Sequence, residues 1–134
     1  MVLPPGIHVA TLVEVEKRFA ANTHRKQLFL GLCRGLDALR VARCSKAFLN
    51  ESFVTEKPFP GDYDVCWDMR GVDVSLLDPI LCDSTLSGRK RQKAVFLGEY
   101  FPASFPADPT FTFLDYFQRD SHTGEPKGIV CVAL

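Results

Sequence analysis

The stretch NESFVTEKPFPGDYDVCW, residues 50–67, decides how this chain is interpreted. Its middle contains two prolines and a glycine, which predict a loop. Its end, DYDVCW, alternates and is rich in β-forming residues, which predicts a strand. Asp62 and Asp64 are two residues apart, so a strand would place both side chains on one face, with Cβ atoms roughly 6–7 Å apart. Two carboxylates that close repel each other unless water, a cation or basic groups lie between them.

A divalent cation would relieve this repulsion. Mg²⁺ takes oxygen ligands and is usually held by one or two carboxylates together with substrate phosphates. In two-metal phosphoryl transfer, the ions bind the attacking and the leaving oxygen. Asp62 and Asp64 are therefore candidate Mg²⁺ ligands, and the alternative is a solvated pair on an exposed strand.

The rest of the chain mixes helices and strands. Thr11 and Glu14 have the spacing of a capping box, and the Asp108-Pro109 pair favours another helix start. Residues 89–101 are ambiguous, and a basic helical turn that passes into a strand around 96–101 is the interpretation here. Residues 1–8 are expected to be an extended lead, and residues 84–88 a loop. Helices are predicted at 11–21, 25–42, 72–83 (ending near Pro79) and 109–119, and strands at 46–50, 62–67 and 127–134.

Length and composition indicate one domain spanning residues 1–134. The chain has 46% hydrophobic residues, enough for a core, and the mixed elements predict an α/β or α+β class with a compact mixed sheet flanked by helices. The formal net charge of zero gives no support to general polyanion binding. The five cysteines lack zinc-site spacing, and neither a signal peptide nor a span of roughly 20 apolar residues is visible. We therefore expect a soluble, cytoplasmic protein without membrane contact.

The motif LNES, followed after nine residues by DYD, resembles the signature of the nucleotidyltransferase (DNA polymerase β-like) superfamily. More narrowly, the chain resembles a small bacterial family with a PPGIH start, a SFVTxKPxPxDxD core, a QKxxFxGExFPA segment and a PKGIV end. The corresponding segments here are PPGIHVAT, SFVTEKPFPGDYD, QKAVFLGEYFPA and PKGIV, which extend over nearly the whole chain. The resemblance implies a nucleotidyltransferase-like fold.

The resemblance also implies a site. A nucleoside triphosphate would lie in the loop after the first strand, and Mg²⁺ would be the cofactor. A third carboxylate from a later strand would help to activate the acceptor hydroxyl; Glu99 is the candidate, followed by Asp83 and Asp68. The implied roles are metal binding and catalysis by Asp62 and Asp64, catalysis by Glu99, and phosphate binding by Ser52, Lys57 and Lys93.

The chain departs from the superfamily pattern at Glu51, where a glycine would let the backbone approach the triphosphate. A carboxylate at that position favours a second hypothesis, a non-catalytic binding or antitoxin-type module with the same fold. A third hypothesis is a metal-dependent phosphohydrolase or nuclease. The basic run RKRQK, 89–93, is either a solvated helix face or a phosphate or RNA patch. A toxin-like protein partner and a homodimer are also left open.

Overall fold

The computed structural model describes residues 3–50, 62–120 and 122–134. Within these ranges the protein is an α+β structure with one five-stranded mixed sheet and helices on both faces. The strands are β1 (Gly6–Ala10), β2 (Lys46–Leu49), β3 (Tyr63–Trp67), β4 (Gly98–Pro102) and β5 (Gly128–Ala133). The predicted fold class is therefore confirmed.

The strand order is β1-β5-β2-β3-β4. β5 pairs parallel to β1 and antiparallel to β2, and β3 pairs antiparallel to β2 and parallel to β4. β5 therefore has a neighbour on each side, and its residues Gly128–Val132 are buried, as its continuous apolar run predicted. β3 and β4 lie side by side at the other end of the sheet, which matters for the site below.

Four α-helices are found in the described residues: α1 (Leu12–Phe19), α2 (Thr23–Val41), α3 (Leu86–Phe96) and α4 (Phe113–Phe117). Thr11 caps α1 through the predicted capping box with Glu14, and α2 matches the predicted helix 25–42 closely. Backbone hydrogen bonding to Thr11 lowers the pKa of the Glu14 carboxyl. No described helix combines the length and apolar character that crossing a bilayer requires.

The two faces of the sheet carry two hydrophobic cores. The larger core joins α1, α2 and α3 to side chains such as Tyr63, Val65 and Tyr100. The smaller core lies on the opposite face, where α4 supplies Phe117 and packs over Phe101. Because side chains alternate along a strand, residues next to Val65 and Tyr100 belong to the second face.

Two segments that were predicted to lie outside helices and strands belong to regular elements. The lead at 1–8 was expected to lie outside regular structure, but Gly6–Ala10 adds to the sheet beside β5. The segment 84–88 was expected to be a loop, but Thr85 accepts a hydrogen bond from the Gly88 amide and starts α3 there. A serine- and glycine-containing segment resembles a loop until its cap is recognised.

Two predicted helices are shorter than expected. The region 72–83 forms two 3₁₀ turns, Val74–Leu76 and Pro79–Cys82, because the side chains of Asp73 and Asp78 each cap a turn of their own. In the region 109–119 only Phe113–Phe117 form a helix, α4, which begins after its cap Thr112. Asp108 instead accepts from the amides of Thr110 and Phe111, a local alternative to helix initiation.

Candidate acidic site between two clefts

Neighbouring strands bring three carboxylates together on the second face of the sheet. Asp64 in β3 is the register partner of Glu99 in β4, and Asp62 directly precedes β3. One oxygen from each of the three groups lies within 4.8 Å of the others, and each residue is half-buried. We call Asp62, Asp64 and Glu99 the acidic cluster.

The register of β3 and β4 depends on contacts on the opposite face. Gly98 lies against the ring of Tyr63, where an added Cβ would meet ring atoms at 2.5 Å. The Tyr63 hydroxyl donates to the Phe96 carbonyl oxygen and is hydrogen-bonded to the Tyr100 hydroxyl, at 2.7 Å in both cases. These contacts fasten the end of α3 to both strands, and burial raises the pKa of both tyrosines above their usual range.

Gln92 fixes α3 along the free edge of β4. Its Oε1 accepts from the Tyr100 amide at 2.8 Å, and its Nε2 donates to the Tyr100 carbonyl oxygen at 3.1 Å. The same Nε2 donates to the Ile80 carbonyl oxygen at 2.6 Å, and the side chain is fully buried. The amide thus takes the place of a further strand and holds α3 beside the acidic cluster.

Two basic residues one helical turn apart on α3 face the cluster. Lys93 Nζ lies 2.9 Å from Glu99 Oε1 and 3.2 Å from Asp62 Oδ2. Arg89 Nη1 is more distant, 4.0 Å from Glu99 Oε2. Hydrogen bonding to Glu99 and then to Asp62 raises the pKa of the Lys93 ammonium. Lys93 thus offsets part of the negative charge of the cluster.

Asn50 adds an uncharged oxygen beside the cluster. It follows β2, its amide donates to the Asp64 carbonyl oxygen at 2.9 Å, and it is 7% exposed. Its Oδ1 finds no hydrogen-bond partner among the residues that the structure describes. A buried amide oxygen without a partner is costly, so it is expected to meet a ligand, an ion or water.

The acidic cluster lies between two clefts. The first, of about 550 Å³, is lined by Asp62 and Lys93 together with His24, Gln27, Leu28 and Leu97. The second, of about 520 Å³, is lined on its polar side by Asn50, Asp64, Ser84, Arg89 and Glu99. Asp62 and Asp64 therefore belong to one cluster but open towards different spaces.

The opposite side of the second cleft is aromatic. Phe101 and Phe113 stack with ring centroids 4.2 Å apart, and Phe117 packs edge-on against both. Tyr116 lines the same cleft and is 46% exposed. We call this second space the aromatic cleft; it places flat apolar surface opposite carboxylates, an amide and a guanidinium.

The structure separates the predicted site residues into groups. It brings Asp62, Asp64, Glu99 and Lys93 together. The two other candidates for the third carboxylate lie elsewhere with their own partners. Asp68 binds Arg70, and Asp83 binds Arg91 and accepts a hydrogen bond from the amide of Thr85, the cap of α3. Ser52, Lys57 and Glu51 lie outside the described residues.

Two residues of the site were missed from the sequence. Asn50 follows the alternating strand Lys46–Leu49, and continuing that alternation would have put it on the face of Asp64. Arg89 precedes Lys93 by four positions, and it was read only as part of a basic run. Strand alternation and helical spacing could therefore have identified both residues, provided that the boundaries of the strand and the helix were known.

The donor set suits a hard divalent cation. Three carboxylates, and an amide oxygen without a partner among the described residues, are oxygen ligands of the kind that Mg²⁺ and Ca²⁺ take, and no thiol or imidazole is part of the acidic cluster. The ammonium of Lys93 competes for the same carboxylates. The arrangement could hold a cation if Lys93 turned away, and the Lys93 side chain is about half exposed.

A comparison with known proteins identifies the family. The profile described as "Family of unknown function (DUF6932)" matches residues 1–133. No curated protein and no solved structure matches the chain. Since the match spans almost the whole sequence, the protein belongs to this family of unknown function, DUF6932.

Proposed function

We propose that this protein is a Mg²⁺-dependent nucleotidyltransferase-like enzyme that transfers a nucleotidyl group from a nucleoside triphosphate to a hydroxyl of a protein or nucleic acid. The observation that supports the proposal is the acidic cluster, with the buried Oδ1 of Asn50 beside it, which has no hydrogen-bond partner in the part of the chain that the structure describes. A lone group of carboxylates is usually solvated; a buried amide oxygen in the same cleft is a second feature that favours a ligand.

The residues have separate tasks in this proposal. Asp62 and Asp64 would hold Mg²⁺, which would supply positive charge to the triphosphate and to the leaving pyrophosphate. Glu99 would take the proton of the acceptor hydroxyl. The hydroxyl oxygen would attack the α-phosphorus as the bond from the α-phosphorus to pyrophosphate breaks. Lys93, released from Glu99, would contact the phosphates, as would Arg89.

The test is a calorimetric titration of ATP, GTP, CTP and UTP with Mg²⁺ into the wild-type chain and the Asp62→Asn/Asp64→Asn variant. We expect metal-dependent binding to the wild type and a loss of roughly 100-fold or more in the double variant, since changing even an outer-shell partner of a metal ligand typically costs roughly 10- to 100-fold in affinity. Asp83→Asn is the matched control, because Asp83 lies outside the cluster and binds Arg91. Equal binding by wild type and double variant would contradict the proposal.

Product analysis distinguishes transfer from hydrolysis. With α-labelled triphosphate and Mg²⁺, transfer leaves the label on a macromolecule, either this chain or an added acceptor, and releases pyrophosphate. Label found only in free nucleoside di- or monophosphate would support the phosphohydrolase alternative, and metal-dependent cleavage of an added nucleic acid would support the nuclease alternative. Glu99→Gln should slow transfer more than it weakens binding, since Glu99 acts on the proton.

The second candidate function is a non-catalytic binding module, and the position of Lys93 favours it. The ammonium bridges Asp62 and Glu99, so two of the three carboxylates have a cation without any metal. A folded wild-type protein that binds neither Mn²⁺ nor any Mg²⁺–nucleotide would support this function. An antitoxin-type protein partner would then be the first class to test.

A further inference from the structure

The aromatic cleft has a charged side and an aromatic side. A small metal ion would contact only the charged side. Its polar side has Asp64 and Glu99 from the acidic cluster, and Arg89 from α3. Its other side has the exposed ring of Tyr116 and the half-buried ring of Phe113. Single exposed aromatic rings are common on protein surfaces and need no explanation, but here two rings line the same cleft as two carboxylates of the acidic cluster.

Arg89 contributes a second unpartnered group to this cleft. Its Nε is buried and finds no hydrogen-bond partner in the described ranges, while its Nη1 is at 4.0 Å from Glu99. A guanidinium presents its donors as a planar fork that matches a phosphate. An anionic group in the aromatic cleft would pair with the partly exposed guanidinium of Arg89 and would lie next to the acidic cluster.

We propose, on the basis of the proposed function above, that the aromatic cleft is the nucleotide site, with a phosphate at Arg89 and the base against Phe113 and Tyr116. The aromatic side carries few polar groups among the described residues that line it, and the Tyr116 hydroxyl is the principal one. Stacking holds every base by its flat face and discriminates little between bases. The site therefore selects nucleotides by ring area, with purines above pyrimidines and ATP close to GTP.

The test measures affinities of ATP, GTP, CTP, UTP and tripolyphosphate, each with Mg²⁺, for wild type, Tyr116→Phe and Tyr116→Ala. Tyr116→Phe keeps the ring and should bind all nucleotides as wild type does. Tyr116→Ala should bind every nucleotide roughly 5- to 100-fold more weakly, the range found when a stacking aromatic is removed. Tripolyphosphate lacks a base and should bind all three proteins equally.

A second pair of variants tests the phosphate end. Arg89→Met should weaken nucleotides and tripolyphosphate by the same factor, roughly tenfold or more, because both carry the phosphate that the guanidinium contacts. Lys90→Met is the matched control, since Lys90 is the exposed neighbour of Arg89 on α3. Unfolding midpoints of all variants should stay near that of the wild type, as Tyr116 and Arg89 are both partly exposed.

The outcomes separate this inference from the proposed function. One outcome would overturn the base site and leave the metal-dependent function standing. In it, nucleotides bind Tyr116→Ala as tightly as wild type, while Asp62→Asn/Asp64→Asn abolishes the binding of Mg²⁺–tripolyphosphate. A preference above tenfold between ATP and GTP would overturn selection by ring area. Absence of Mg²⁺-dependent binding of both nucleotides and tripolyphosphate would overturn both proposals.

Discussion

Lys93 and Glu99 form an ion pair in which the Lys93 Nζ lies 2.9 Å from Glu99 Oε1, in the middle of the acidic cluster. The same ammonium reaches Asp62 Oδ2 at 3.2 Å. Lys93 is about half exposed, whereas Glu99 is 14% exposed, so the lysine is the partner that can leave. A cation that entered the acidic cluster would therefore compete with this resident ammonium for Glu99 and Asp62.

Replacing Lys93 should change the affinities for cation and nucleotide in opposite directions. Lys93→Met removes a positive charge near the ligand oxygens, so Mn²⁺ alone should bind roughly tenfold more tightly. Mg²⁺–tripolyphosphate should bind more weakly, because a phosphate contact is lost. Mn²⁺ binding is followed by electron paramagnetic resonance and the polyphosphate by calorimetry.

Lys90→Met is the control for this prediction, since it removes the same charge from the same helix at an exposed position. Weaker binding of Mn²⁺ to Lys93→Met would contradict the competition. It would mean that the lysine holds the carboxylates in their arrangement instead of occupying the place of a cation.

Gln92→Leu should destabilise the fold by about 2–3 kcal/mol, because the Tyr100 amide and carbonyl lose their buried partner. Leucine has a similar size, so the effect reports hydrogen bonding more than volume. Urea unfolding measures it, and Gln27→Leu, at an exposed position of α2, is the matched control with an expected change within about 0.5 kcal/mol. A loss equal to that of the control would show that the edge of β4 does not depend on this amide.

Gly98→Ala should destabilise the protein by about 2–3 kcal/mol, because the new methyl group meets the Tyr63 ring at 2.5 Å in a packed core. Tyr63→Leu removes the ring atoms and carries its own cavity cost. If the clash is the cause, the double variant should lose less than the two single variants together. If the losses of stability measured by urea unfolding are additive, the clash with the Tyr63 ring is not the cause of the destabilisation by Gly98→Ala.

Asp68 gives the stability of the fold a defined pH dependence. Its side chain is 9% exposed, and hydrogen bonding to the Arg70 side chain lowers the pKa of its carboxyl. Because the carboxyl has a lower pKa in the folded state, it stabilises the protein at pH values above its unfolded-state pKa of about 3.9. This contribution is lost as the pH falls through the folded-state pKa. The free energy of unfolding of the wild type should therefore exceed that of Asp68→Asn by about 1 kcal/mol at neutral pH. The difference is this small because Arg70 is largely solvated.

Urea unfolding of both proteins between neutral pH and about pH 3 checks this prediction. The difference between wild type and Asp68→Asn should shrink only below about pH 4. Asp37→Asn is the control, because Asp37 pairs with Arg40 on the exposed side of α2 and should have little effect at any pH. A difference that stays constant down to the lowest pH would show that the charge of Asp68 is not the cause.

The sequence by itself determined the local features of this protein. Apolar periodicity located α2, the capping spacing of Thr11 and Glu14 started α1, and the continuous apolar run identified the buried strand β5. The spacing of Asp62 and Asp64 also pointed to one acidic group. These features depend on neighbours within a few residues, so their signal is contained in the sequence.

Only the tertiary structure decided which other groups join them. Glu99 was one of three candidates for the third carboxylate, and the register of β3 with β4 separated it from Asp68 and Asp83. Asn50 and Arg89 meet the cluster through the pairing of β2 with β3 and the docking of α3. Strand register and helix docking are set by contacts distant in sequence, such as the Tyr63 ring against Gly98, and no local pattern contains them.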